Sequence, residues 1–139
     1  MVIVNYFAKK CDLIPKNHIE AAYADMYANQ FTDIFNVASA IALNPNSTQS
    51  TASNSTLFNV TIPLTLKRLE ARIIENCCGV IAGRHISYAD IFMASILDVL
   101  GKARDGVLSY YPNVKALDIK VRSKPRIAAW ILKRPQTDL

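Results

Sequence analysis

The stretch from Ser87 to Leu100, SYADIFMASILDVL, is apolar on nearly every side, since Ile91, Phe92, Met93, Ile96, Leu97, Val99 and Leu100 cover the whole circumference of a helix. A helix without a polar face must be surrounded by other elements, so this one belongs at the centre of a bundle. Elsewhere apolar residues recur at helical spacing, and no period-two run is long enough to propose a sheet. The fold class that follows is all-α.

The start of the central helix is written in residues 85 to 90, HISYAD. Histidine, serine and aspartate are also the residue types of a hydrolytic triad, but a triad needs its groups to converge with histidine between the other two. Ser87 and Asp90 are three apart at a helix start. There the serine hydroxyl accepts from the amide of residue 90 and the carboxylate accepts from the amide of Ser87, a capping box with aspartate in place of glutamate. Ile86 before the cap and Ile91 in the first turn complete a hydrophobic staple. The charge of Asp90 lies at the positive end of the helix dipole. Groups bound to backbone in this way are not free to activate a substrate, so no catalytic residue is assigned here and His85 is read as a loop residue.

Around this helix the spacing predicts a wall of others. Ile3, Tyr6, Phe7 and Lys10 form a short amphipathic helix that breaks at Asp12 to Pro15. A long helix runs from His18 to about Leu43, with Tyr23, Tyr27, Phe31 and Phe35 every fourth residue as a stripe that packs on its neighbours. It stops at Asn44-Pro45. The polar tract 44–56, NPNSTQSTASNST, has no apolar period and reads as a mobile loop. From about Leu57 to Asn76, Ile62, Leu66, Leu69 and Ile73 share one face, with Lys67, Glu70 and Arg72 off it; Pro63 opens or kinks this helix. Helices from about Pro112 to Arg122 and from about Lys124 to Lys133 follow, with Ser123 as the N-cap of the second.

A chain of 139 residues can bury a core as one globular unit without disulfides or metal. Cys11, Cys77 and Cys78 have neither zinc nor disulfide spacing, so they read as reduced thiols; Cys77 and Cys78, at a helix C-terminus whose dipole disfavours thiolate, read as inert and partly buried. The opening MVIVNYFAKK reverses the order of a secretory signal, and the longest apolar run is too short to span a bilayer. The expectation is a cytoplasmic protein, without membrane partners, whose three Asn-x-Ser/Thr sequons go unused. The net charge of +5 collects near the end, at Lys115, Lys120, Arg122, Lys124, Arg126, Lys133 and Arg134. No aromatic residues interleave with them as a stacking platform requires, so they read as a solvated helix face and not as a nucleic-acid site.

With the cap in place, GRHISYADIFMASILDVL resembles the segment that opens the buried helix in the C-terminal domain of glutathione transferases, where a Gly-x-x-hydrophobic-Ser/Thr-x-Ala-Asp pattern stands. The tail YPNVKALDIKVRSKPRIAAWILKRPQTDL is similar to the closing segment of sigma-class-like, nematode-type members, and EAAYADMYANQFTDIF resembles the first helix of the same domain. Arg84 departs from the aspartate usual there. IVNYFAKK resembles the last helix of the family's N-terminal thioredoxin-like domain, so the resemblance divides the chain into a remnant of that domain, 1–14, and a helical domain, 15–139.

This resemblance implies glutathione as co-substrate, conjugated to apolar electrophiles, with homodimerisation or a thioredoxin-like domain as partner. It places Asp33 where family members hold the glutathione amino group across a dimer. The family's apolar substrate pocket lies farther along the same helix, near Ser39, Ala40 and Leu43, which match no fixed motif. The activating tyrosine belongs to the thioredoxin-like half, and none of Tyr6, Tyr23, Tyr27, Tyr88, Tyr110 and Tyr111 takes its place. The chain alone is expected to lack activity and to bind no cofactor tightly, glutathione included. The alternative is a non-enzymatic interaction or dimerisation module.

Overall fold

A computed structural model describes residues 2–44 and 48–135. Helix α1 (Val2–Lys10) leads through a short linker to α2 (His18–Leu43), then α3 (Thr48–Thr56), a π-helical turn (Leu57–Thr61) and α4 (Ile62–Asn76). A loop leads to α5 (Tyr88–Ile96), a 3-10 segment (Leu97–Ala103), α6 (Arg104–Leu108), α7 (Pro112–Arg122) and α8 (Pro125–Lys133). Among the described residues there is no strand, and no helix is long and apolar enough to cross a membrane.

Helix α5 packs against α2 on one side and α7 on another, and α7 also packs on α4. Phe31, Leu69, Ile73, Met93, Val114, Leu117 and Val121 fill the space between them. Phe31 meets the ring of Phe92 edge-on at 6.2 Å, a geometry that places ring hydrogens on the partner's negative face. The α-helical part of the central segment ends at Ile96, earlier than its composition suggests. Gly101, at φ 50 and ψ −130, breaks the following 3-10 segment.

The bounds of α2 follow from its ends. The Asn17 side chain accepts from the amides of Ile19 (2.9 Å) and Glu20 (3.3 Å), a local N-cap. The aromatic stripe does not stay on one face. Residues four apart advance about 40° beyond a full turn, so Tyr27 and Phe31 are buried while Phe35, at the end of the series, is 47% exposed.

Several expectations are corrected. Residues 48–56 of the polar tract are helical, while Pro45, Asn46 and Ser47 lie outside the described residues. Helix α3 docks on α2, Ser50 is buried, and Thr56 Oγ1 donates back to the Ala52 carbonyl. Docking thus overrides low intrinsic propensity. At Pro63, which has no amide proton to donate, the chain passes through the π-turn first, with the Ile62 amide reaching Leu57, and Pro63 then opens α4. The N-cap position of α8 is Lys124; Ser123 closes α7 instead, its hydroxyl donating to the Lys120 carbonyl at 3.0 Å. All three cysteines are exposed, because Cys11 and Cys77 fall just past the ends of α1 and α4, and Cys78 follows in the loop.

Candidate functional site

Helix α2 carries two stripes on opposite sides. The inward one is Ala24, Tyr27, Ala28, Phe31 and Ile34. The outward one, Ile19, Ala22, Met26, Asn29, Asp33, Val37 and Ala40, is exposed throughout and apolar at five of its seven positions. Its steps of three and four residues have the periodicity of a seam that faces another helix. Asn29 is its neutral polar member, of the kind that sets register in such seams. Asp33 is its one charged member. Among the described residues, no donor lies within hydrogen-bond distance of the Asp33 carboxylate. The arrangement can present a single anion from a mostly apolar surface to a cationic group brought by a ligand or partner.

A second aspartate on α2 faces a different fate. Tyr88, at the start of α5, donates its hydroxyl to Asp25 Oδ1. Burial first, and then the hydrogen bond and charge of Asp25, push the Tyr88 phenol well above its ordinary value of 10.0. Burial likewise raises Tyr27. A phenol shifted upward holds its proton, which is the wrong direction for a group that supplies a phenolate base.

Ser87 and Asp90 form a closed node. Asp90 is 0% exposed. Its Oδ2 accepts from the Ser87 amide at 2.6 Å and the Ser87 hydroxyl at 2.8 Å, and its Oδ1 accepts from the Ile81 amide at 2.9 Å. Burial raises its pKa, while these donors and the charge of Lys120 pull in the other direction. The bond to Ile81 fastens the loop before α5, a role that the HISYAD stretch alone does not reveal. Ile86 and Ile91, flanking the node, are half-buried against the core. His85 is exposed, so the three residues of the triad-like stretch do not converge.

Arg72 fastens the same loop from the other side. Although the sequence pattern sets it off the apolar face of α4, it is 8% exposed. Its guanidinium donates to the Ile81 carbonyl and to Glu20, each at 3.0 Å, and lies 3.8 Å from the Tyr23 ring centroid. Glu20 also accepts from the Gly83 amide at 2.8 Å. These partners come from distant parts of the chain, which is why periodicity misses them.

The basic tail is also less solvated than its composition suggests. Arg122 pairs with Asp118 at 2.9 Å and Asp98 at 2.6 Å, Arg134 pairs with Asp98 at 3.0 Å, and Arg104 pairs with Asp118. This chain of charges ties the 3-10 segment to α6, α7 and the end of α8. It occupies several of the cations that nucleic acid would need.

The family model described as "Glutathione S-transferase, C-terminal domain" matches residues 32–134. Hematopoietic prostaglandin D synthase of Mus musculus is 29% identical over 143 residues, covering 100% of this chain and 68% of that protein. S-crystallin SL11 of Nototodarus sloanii is 26% identical, covering 99% and 67%. The solved structure of prostaglandin synthase D of Nilaparvata lugens superposes with a TM-score of 0.81 at 30% identity, over 97% of this chain and 67% of that one. The chain thus spans about two thirds of the length of these relatives.

Proposed function

The chain belongs to the glutathione S-transferase family, through that family's C-terminal domain, and we propose that it serves as the helical, substrate-side unit of a sigma-class-like glutathione transferase. In this reading residues 15–139 are the helical domain and α1 with its linker, residues 1–14, is the closing piece of a thioredoxin-like unit. The outward seam of α2 meets the same seam of a second copy. Asp33 then reaches the glutathione ammonium bound to the partner subunit, where a carboxylate facing an ammonium makes a charge-assisted hydrogen bond. Apolar electrophiles bind toward the far end of α2, where Leu43 is 79% exposed.

The observation that carries this reading is Asp33 as the one charge in an exposed, mostly apolar seam. The face of α1 adds support: Ile3, Tyr6 and Phe7 are 74, 58 and 56% exposed, a patch suited to a covering sheet. Thiol activation in the family lowers the pKa of glutathione through a tyrosine of the thioredoxin-like domain. The raised phenols of Tyr27 and Tyr88 do not substitute for it. The 139-residue chain by itself is therefore expected to be inactive.

The test is conjugation of glutathione to chlorodinitrobenzene by the chain alone and by the chain fused behind a thioredoxin-like domain of a family member. Activity is expected only in the fusion, and Asp33→Ala there should raise the KM for glutathione about tenfold or more. Turnover by the isolated chain at the level of an intact relative would overturn the division of labour. The second reading, a non-enzymatic interaction module, draws on the same exposed α1 face and on the similarity to an S-crystallin. It predicts an inactive fusion and a chain that self-associates in size-exclusion chromatography.

A further inference from the structure

The loop fastened by Asp90 and Arg72 does more than precede a helix. Between it and the α1–α2 linker lies a cleft of about 740 Å³. Its walls carry Lys16, Arg84 and His85, against the carboxylates of Asp12 and Glu20. Glu20 is already committed to Arg72 and the Gly83 amide, so the two cations, Lys16 and Arg84, outnumber the one remaining carboxylate, Asp12. Lys16, Arg84 and His85 are themselves exposed. Cys78 also lines this cleft and its thiol is free. Its neighbour differs: the Cys77 thiol turns back on the end of α4, donating to the carbonyls of Ile74 and Glu75 at 3.5 Å each. Cys11 lies on open surface outside the cleft, beside Lys9 and Lys10.

We propose that this cleft binds a small peptide acid bearing a disulfide, and that Cys78 is the residue it modifies. Glutathione disulfide fits the chemistry, because each half carries two carboxylates for Lys16, Arg84 and His85 and one ammonium for Asp12. The choice of this reagent rests on the family reading; the cleft and its thiol do not. The Cys78 thiolate attacks one sulfur of the disulfide. The sulfur–sulfur bond breaks, a Cys78–glutathione mixed disulfide forms, and the second glutathione leaves as thiolate and takes up the proton that Cys78 released. The exchange involves no net oxidation and is reversed by excess thiol. Opposite charge in the cleft raises the local concentration of the anionic reagent, an effect that salt weakens.

The experiment is a time course of the full chain with glutathione disulfide near neutral pH, followed by peptide mass mapping of the three cysteines. Cys78 should be modified about tenfold faster than Cys11 or Cys77, and added salt should shrink that advantage. The exposed-site variant Lys16→Ala/Arg84→Ala, checked by circular dichroism, should lose most of the advantage while reacting normally with the neutral disulfide of 2-mercaptoethanol. Equal labelling of Cys78 and Cys11 would overturn the proposal, because open lysines would then do as well as the cleft. So would a Cys78 rate indifferent to both salt and the double variant. Neither result depends on conjugating activity, so a chain that fails as a transferase domain can still pass this test, and the reverse.

Discussion

Asp90 and Asp33 are both aspartates on helices of the same bundle, and their surroundings differ almost completely. Asp90 is sealed from solvent and accepts from three donors, while Asp33 is exposed in a mostly apolar seam with no donor near it among the described residues. A carboxylate whose acceptor capacity is used inside the chain holds the fold together. One whose capacity is left open on a largely apolar surface adds little to the fold and is available to a group from outside the chain. The largest expected effect tests the first half of this contrast. Asp90→Ala strands the amides of Ile81 and Ser87 in the interior and should cost about 3 kcal/mol or more in denaturant unfolding. Asp33→Ala should stay within about 0.5 kcal/mol. Equal losses for the two variants would erase the distinction.

A smaller effect separates Asp25 from Asp33 on the same helix. Tyr88→Phe removes the hydrogen bond to Asp25 and should cost about 1 kcal/mol near neutral pH. The pH dependence has a definite sign. The folded phenol is raised above its ordinary value of 10.0, so the folded state holds the proton more tightly than the unfolded state. The contribution of Tyr88 is full below pH 10.0 and is lost as pH rises toward the folded value. The stability gap between the parent chain and Tyr88→Phe should therefore narrow in alkaline denaturation, and a gap that widened above that pH would show the phenol to be ionised in the folded state.

How much of this was legible depends on whether the signal is local. The Asn17 cap that starts α2 went unread, but the end of α2 and the bounds of α7 and α8 follow from Asn44-Pro45, Pro112, Pro125 and Pro135, whose effects reach no farther than a helix turn. The Ser87 and Asp90 positions were readable for the same reason, but the bond from Asp90 to Ile81 was not. The burial of Arg72 was not legible either, because its partners include Glu20, 52 residues away, and no period encodes that separation. The helix at Thr48–Thr56 escapes a reading by pattern because its polar residues have low propensity and its order comes from docking on α2. The outward seam of α2 is present in the spacing of Ile19, Ala22, Met26, Val37 and Ala40. Asn29 and Asp33 interrupt it, and its small side chains make a weaker signal than the aromatic stripe on the other side.

That seam supplies the smallest expected effect on folding and the sharpest test of what Asp33 is for. Met26 lies two turns before Asp33, too far along the helix for a side chain there to pair with it, and is 51% exposed. Met26→Arg should therefore leave unfolding of the monomer unchanged to within about 0.5 kcal/mol. If the seam faces a second copy, a long charged side chain in its apolar part enters the contact from both subunits, and buried like charges oppose association. Sedimentation should then show a dimer for the parent chain and a monomer for the variant. If Asp33 serves a dimer-borne site, Met26→Arg in the thioredoxin-like fusion should raise the KM for glutathione as Asp33→Ala does, although the proposed site gives residue 26 no contact with substrate. A variant that stays dimeric with an unchanged KM would mean that the seam faces solvent and that the open carboxylate of Asp33 has no partner to meet.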